Sequence, residues 1–147
     1  MCGIVGQWGG TFSPPERAEQ TSHALSTLRH RGPDQFGIYA DATAALGNAR
    51  LSIVDIGSGQ QPIPNEDESL WIVFNGEIFN HVELRPELES RGHKFRTRSD
   101  TEVILHLYEE LGPACLNRSR RACRSKPRPR GRMCLLCAFR CARPAGR

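Results

Sequence analysis

The chain has 147 residues, 38% hydrophobic and 24% charged, with a formal net charge of +4, a size and composition that suit one domain with a core of its own. The average hides a seam: residues 1–116 hold 9 Lys and Arg against 16 Asp and Glu, a net of −7, while residues 117–147 hold 11 Lys and Arg and no acid, a net of +11. No basic segment followed by an apolar run opens the chain, and the tail's longest apolar stretch, Met133 to Phe139, is far too short for a bilayer, which predicts a cytoplasmic protein with free thiols rather than a secreted or membrane-spanning one.

Met1-Cys2-Gly3-Ile4-Val5-Gly6 places a thiol one residue from the start. With Met1 removed, which a small side chain at Cys2 permits, one residue carries both a sulfur nucleophile and an α-amine. That amine has a reference pKa of about 7.7 to 8 and can take the thiol proton near neutral pH. Read alone, these six residues favour Cys2 as a small buried hydrophobe, the commoner role of a cysteine. Ile4 and Val5 suit a buried strand, which runs to Trp8 before Gly9-Gly10 breaks it.

Ser13-Pro14-Pro15-Glu16 has the form of a capped helix start, and Ala18, Thr21, Leu25 and Leu28 then recur at helical spacing up to Arg29. His30-Arg31-Gly32-Pro33-Asp34 ends that helix in a charged turn. Phe36–Ala40 and Ala44–Leu46 are expected as short strands, and Arg50–Asp55 as a further strand whose alternation buries one face and presents Arg50 and Ser52. Leu70–Phe74 is a strongly apolar strand. Asn75-Gly76 beyond it is the dipeptide most suited to a positive-φ turn, and a plain hairpin accounts for it as a local signal. Asn80 with Glu83 starts a helix that turns Val82, Leu84 and Leu88 inward, is kinked or shifted by Pro86, and is closed by Gly92. Phe95–Thr97 is expected as a strand. Ser99-Asp100-Thr101-Glu102 opens a last helix with Val103, Ile104, Leu107 and Leu111 buried, which Gly112-Pro113 stops.

In order and spacing, five blocks resemble the glutaminase domain of the asparagine synthetase family, a class II glutamine amidotransferase domain of the N-terminal-nucleophile hydrolase type. They are Met1–Gly6, Arg29–Asp34, Arg50–Asp55, Asn75–Asn80 and Ser99–Glu102. The resemblance spans about residues 1–116 and implies an α/β (α+β) fold, a four-layer αββα sandwich of antiparallel sheets. It implies glutamine as the substrate and Cys2 as the nucleophile, with its own α-amine carrying protons. Asn75 and the Gly76 N–H would form the oxyanion hole, a contribution of about 3 to 4 kcal/mol per donor. Arg50 would pair with the substrate α-carboxylate, Glu77 and Asp100 would receive its α-ammonium, and the backbone of Ile53 and Val54 would line the pocket. No cofactor is implied for this chain; ATP and magnesium belong to the family's separate synthetase domain, and a synthetase domain supplied in trans is one partner the resemblance allows. No metal is implied at the glutaminase site.

The family continues past this point into apolar strands, whereas residues 117–147 form a basic tail rich in Arg, Pro and Cys, with no sustained periodicity and no structure predicted. Arg, Pro, Ala and Gly make up 19 of its 31 residues, the composition of a GC-rich gene read out of frame. A domain cut short in this way is expected to expose a sheet edge and to fold poorly. The alternative function is an inactive remnant whose tail binds nucleic acid non-specifically. Cys123, Cys134, Cys137 and Cys141 offer a weaker zinc reading, since they lack paired Cys-x-x-Cys spacing.

Overall fold

The structure, a computed structural model, describes residues 2–51, 59–119, 121–122 and 137–141. Apolar β-branched residues after Cys2 give the first strand, β1 (Gly3–Trp8), and the capped Ser13 start gives α1 (Pro14–Thr27). The Glu16 carboxylate accepts from both the backbone N–H and the hydroxyl of Ser13, at 2.7 Å each. Strands β2 (Gln35–Ala40) and β3 (Ala44–Arg50) follow, then β4 (Ile63–Pro64), β5 (Leu70–Phe74) and β6 (Glu77–Ile78). Next come α2 (His81–Ser90), α3 (Asp100–Leu111), a 3-10 turn at Gly112–Ala114, α4 (Cys115–Arg118), β7 (Arg121–Ala122) and β8 (Cys137–Cys141).

Two three-stranded antiparallel sheets, ordered β1-β3-β2 and β4-β5-β8, lie face to face. Helix α1 packs on the outer face of the first, and α3 on the outer face of the second. The layers therefore run α, β, β, α, as the resemblance implies. Covered on both faces, β3 buries all seven of its residues, and so Ala44 to Arg50 shows no alternation in sequence. Tyr39 of β2 stacks on Trp71 of β5 with ring centroids 4.3 Å apart, joining the sheets at one end. At the centre the Gln61 side chain bridges three layers. Its Oε1 accepts from Asn48 Nδ2 of β3 (3.3 Å) and from Phe74 N of β5 (2.6 Å), while its Nε2 donates to Thr101 Oγ1 of α3 (3.3 Å).

Five expectations are corrected. Arg50 is the last residue of β3 and not the start of a separate strand; Ser52 to Asp55, the rest of that expected strand, lie outside the described residues. Val82 is 68% exposed, so α2 faces the core with Leu84 and Leu88 only. Leu111, expected on the buried face of α3, is 36% exposed; helix α2 carries Pro86 inside it, and Gly92 closes it as expected with φ +102°, a conformation that needs no Cβ. Phe95–Thr97 is not a strand. The N–H groups of Arg96 and Thr97 donate instead to the Glu102 carboxylate, at 2.7 and 2.8 Å, which satisfies them without a strand partner. The fifth concerns residues past Leu116: Arg121–Ala122 pairs with β6, and Cys137–Cys141 pairs with β5 along its length, because an open edge with unpaired N–H and C=O groups templates any extended segment that reaches it.

Helix α3 is buried from Thr101 to Leu107 and divides the core. Ile104 and Leu105 join Ile63, Leu70, Ile72, Phe74 and Ile78, while Val103 and Leu107 join Leu84, Leu88 and Cys115. Its polar members are paired within the protein. His106 is fully buried; burial opposes its charge, but the neighbouring Glu102 carboxylate and that of Glu109, hydrogen-bonded to Nδ1 at 2.7 Å, prevail and raise its pKa to about 9.

Candidate active site

Cys2 sits immediately before β1, and the antiparallel register that sets Gly3 opposite Ala49 carries it to the level of Arg50 at the end of β3. The half-buried thiol lies against the backbone of Leu51: Leu51 N donates to Sγ at 3.4 Å, and Sγ lies 3.9 Å from Leu51 O. From the other sheet, Asn75 Nδ2 donates to Cys2 O at 2.8 Å. Cys2 and the Asn75 carboxamide are thus brought together by two sheets across 73 residues of sequence.

Asn75-Gly76 is not a hairpin turn. Strand β5 pairs with β4 and β8, and the chain passes through Asn75-Gly76 into β6, which pairs with β7 in another sheet. Nor does Gly76 have a positive φ. Glycine is needed there for space, since a Cβ would stand 2.5 Å from the Phe74 ring. Each Nδ2 carries two hydrogens, so the bond to Cys2 O leaves Asn75 a second donor.

Arg50, only 7% exposed, is held from β2, where its register partner Gln35 accepts from Nη1 at 2.9 Å. The block at Arg31–Asp34 closes over the same strand end. Asp34 N donates to Arg50 O at 3.1 Å, and a Cβ on Gly32 would fall 2.1 Å from Ala49 O, so only glycine admits this backbone-to-backbone approach. On the other side, Asp100 opens α3 after the Ser99 cap, whose Oγ accepts from Thr101 N at 3.2 Å. Asp100 Oδ2 accepts from Ile78 N at 2.7 Å, tying the helix start to the segment that follows Gly76. Glu77, exposed in β6, lies between.

Hydrogen bonds Gln35–Arg50, Leu51–Cys2, Cys2–Asn75 and Ile78–Asp100, joined by the chain from Arg50 to Leu51 and from Asn75 to Ile78, link four of the eight residues singled out from sequence, and Gly76 and Glu77 lie inside the 75–78 segment. Ile53 and Val54 lie outside the described residues. Sequence reasoning missed Gln35 and the backbone of Leu51. The first becomes visible only once β2 and β3 are paired, and the second has no side-chain signal. What the arrangement offers is a sulfur nucleophile beside amide donors, with a buried guanidinium on one side and two carboxylates on the other.

The family described as "Glutamine amidotransferase domain" matches residues 1–121. The chain is 46% identical over 112 residues to asparagine synthetase [glutamine-hydrolyzing] 1 of Arabidopsis thaliana, covering 76% of this chain and 19% of that protein. It is 44% identical over 110 residues to the Bacillus subtilis asparagine synthetase [glutamine-hydrolyzing] 1, covering 74% and 17%. The chain thus spans about a fifth of the length of the curated relatives it matches. Among solved structures, the glutamine phosphoribosylpyrophosphate amidotransferase from B. subtilis, complexed with ADP and GMP, superposes with a TM-score of 0.64 at 22% identity, over 82% of this chain and 33% of that one.

Proposed function

The chain belongs to the glutamine amidotransferase domain family, and from that premise we propose that it is the glutaminase part of an asparagine synthetase-like enzyme, releasing ammonia from glutamine for an acceptor such as aspartate. The observation that carries this reading is Cys2 at the head of β1, bonded through its own carbonyl to the Asn75 side chain.

In this mechanism Cys2 Sγ attacks the side-chain amide carbon of glutamine, and the α-amine of the same residue, free once Met1 is gone, takes the thiol proton. The negative charge that develops on the amide oxygen is met by the second Asn75 Nδ2 hydrogen and by Gly76 N–H. The tetrahedral intermediate collapses as the amine returns its proton to the leaving nitrogen, releasing ammonia and a thioester. Water, deprotonated by the same amine, hydrolyses the thioester to glutamate and restores the thiol. Arg50 pairs with the substrate α-carboxylate, in a fork already oriented by Gln35. Asp100 and Glu77 receive the α-ammonium, and the backbone of Ile53 and Val54 completes the pocket.

ATP and magnesium enter this reading only with a synthetase domain that activates the acceptor. We place the protein in the cytoplasm; among the described residues no helix is long and apolar enough to cross a membrane. Polyanion binding by the basic tail has no support in the comparisons.

Ammonia release from glutamine by the purified chain tests the proposal, and Cys2→Ala should abolish it. Intact-mass spectrometry adds a second check: protein that retains Met1 should be inactive, and turnover by such protein would refute the role of the amine.

A further inference from the structure

Away from Cys2, three segments bring two imidazoles and two carboxylates together. Glu66 lies in the turn between β4 and β5, His93 in the connection from α2 to α3, and His106 and Glu109 on α3. One ligand atom from each lies within 4.8 Å of all the others. His93 Nδ1 stands 3.3 Å from Glu66 Oε1 and 3.6 Å from Glu109 Oε2, and His106 Nδ1 stands 3.5 Å from Glu66 Oε2 and 2.7 Å from Glu109 Oε2. Tetrahedral zinc, with bonds of about 2.0 to 2.1 Å, sets neighbouring ligand atoms about 3.4 Å apart. Three of these four separations stand near that length and the hydrogen-bonded His106–Glu109 pair is shorter; Glu66 offers a different oxygen to each histidine, so its carboxylate has to turn and the His106–Glu109 pair to open as a metal enters.

We infer that Glu66, His93, His106 and Glu109 form a binding site for a divalent transition-metal cation of the zinc class, clamping α3 to the β4–β5 turn and to the α2–α3 connection.

The surroundings fit a metal site in ways that the four residues alone do not require. Each histidine turns Nδ1 inward and carries a carboxylate behind Nε2: Glu102 Oε1 lies 3.7 Å from His106 Nε2, and Glu110 Oε1 lies 3.4 Å from His93 Nε2. In a carboxylate–histidine–metal arrangement such a neighbour orients the ring and raises its basicity once Nε2–H bonds to it; at 3.7 Å the Glu102 contact to His106 is electrostatic. His106 Nε2 is buried and has no hydrogen bond among the described residues, so hydrogen bonding on that side does not explain the ring's placement. The carboxylates are held too, with Asn65 Nδ2 donating to Glu109 Oε1 at 2.8 Å and Lys94 N donating to Glu66 Oε1 at 2.9 Å. A cleft of about 450 Å³, lined by Glu66, His93 and Glu109 together with Asp67, Arg91 and Lys94, gives a cation a way in. Two imidazoles in the set favour zinc over magnesium or calcium, which take oxygen ligands.

The test is a competition titration of the full chain, stripped with chelator, against a chromophoric zinc indicator. One equivalent of Zn2+ should bind in the presence of excess Mg2+ and raise Tm. His93→Gln and Glu66→Gln, both at partly exposed positions, should each weaken binding at least tenfold and remove the Tm shift while the far-ultraviolet circular dichroism stays unchanged. Because the chain also has six cysteines, Co2+ is bound in place of zinc to report the ligand type. Nitrogen and oxygen ligation gives visible d–d absorption without the near-ultraviolet sulfur-to-metal band of a thiolate site. Failure to bind, affinity unchanged in both variants, or a thiolate band would overturn the site.

Discussion

At the residue scale, binding and chemistry are assigned to different side chains. In the proposed mechanism Asn75 would face charge that exists only as the reaction proceeds, so Asn75→Ala should lower kcat by about 10²–10³-fold with KM little changed. Arg50 would hold, in the same mechanism, a part of glutamine that does not react. Its removal should chiefly raise KM, and Gln35→Ala, which frees the guanidinium from its β2 anchor, should do the same to a lesser degree. Steady-state ammonia release separates the two patterns, and an unchanged kcat in Asn75→Ala would remove it from the oxyanion hole. The proximity of Asn75 Nδ2 to the Cys2 carbonyl, rather than to its sulfur, also means that Asn75→Ala removes a bond across the two sheets, so its stability has to be measured alongside.

At the scale of elements, the helices are placed by caps and then sorted by packing. Ser13 and Ser99 start α1 and α3 where the sequence indicates, since an N-cap satisfies orphan N–H groups locally. Which face goes inward depends on what lies opposite. In α2 the spacing admits Val82, Leu84 and Leu88, yet only the latter two meet α3 and its neighbours. Leu88→Ala should therefore cost about 2 to 5 kcal/mol in urea unfolding, whereas Val82→Ser should stay within about 0.5 kcal/mol. Equal effects would show that α2 is rotated from the orientation described.

For the whole molecule, the sandwich depends on a polar contact as well as an apolar one. Gln61 is buried where β3, β5 and α3 meet, and its carboxamide satisfies Asn48, Phe74 N and Thr101 together. Replacement by an apolar residue of similar size strands Phe74 N–H and the Asn48 amide without water. Gln61→Leu should cost about 2 to 3 kcal/mol. It should also lower activity, because Asn75 directly follows Phe74 and depends on the same strand for its place. A Gln61→Leu chain with wild-type stability would mean that these groups find other partners.

Sequence by itself determined what local chemistry can encode: β1 with its leading Cys2, the caps and apolar faces of α1 and α3, the apolar run of β5, and the residue types of the site. Each of these rests on side chains within a few positions of one another. Tertiary structure decided what depends on neighbours distant in the chain. It ran β3 unbroken to Arg50, because both faces are covered. It made Asn75-Gly76 a crossing between two sheets, since β6 takes β7 as partner. It replaced a strand at Phe95–Thr97 with backbone donors to a carboxylate on α3. Pairing of β8 along β5 was likewise invisible in the Arg-rich composition of residues 117–147, because a strand that completes a sheet edge is selected by the open N–H and C=O groups of its partner and only weakly by its own residues.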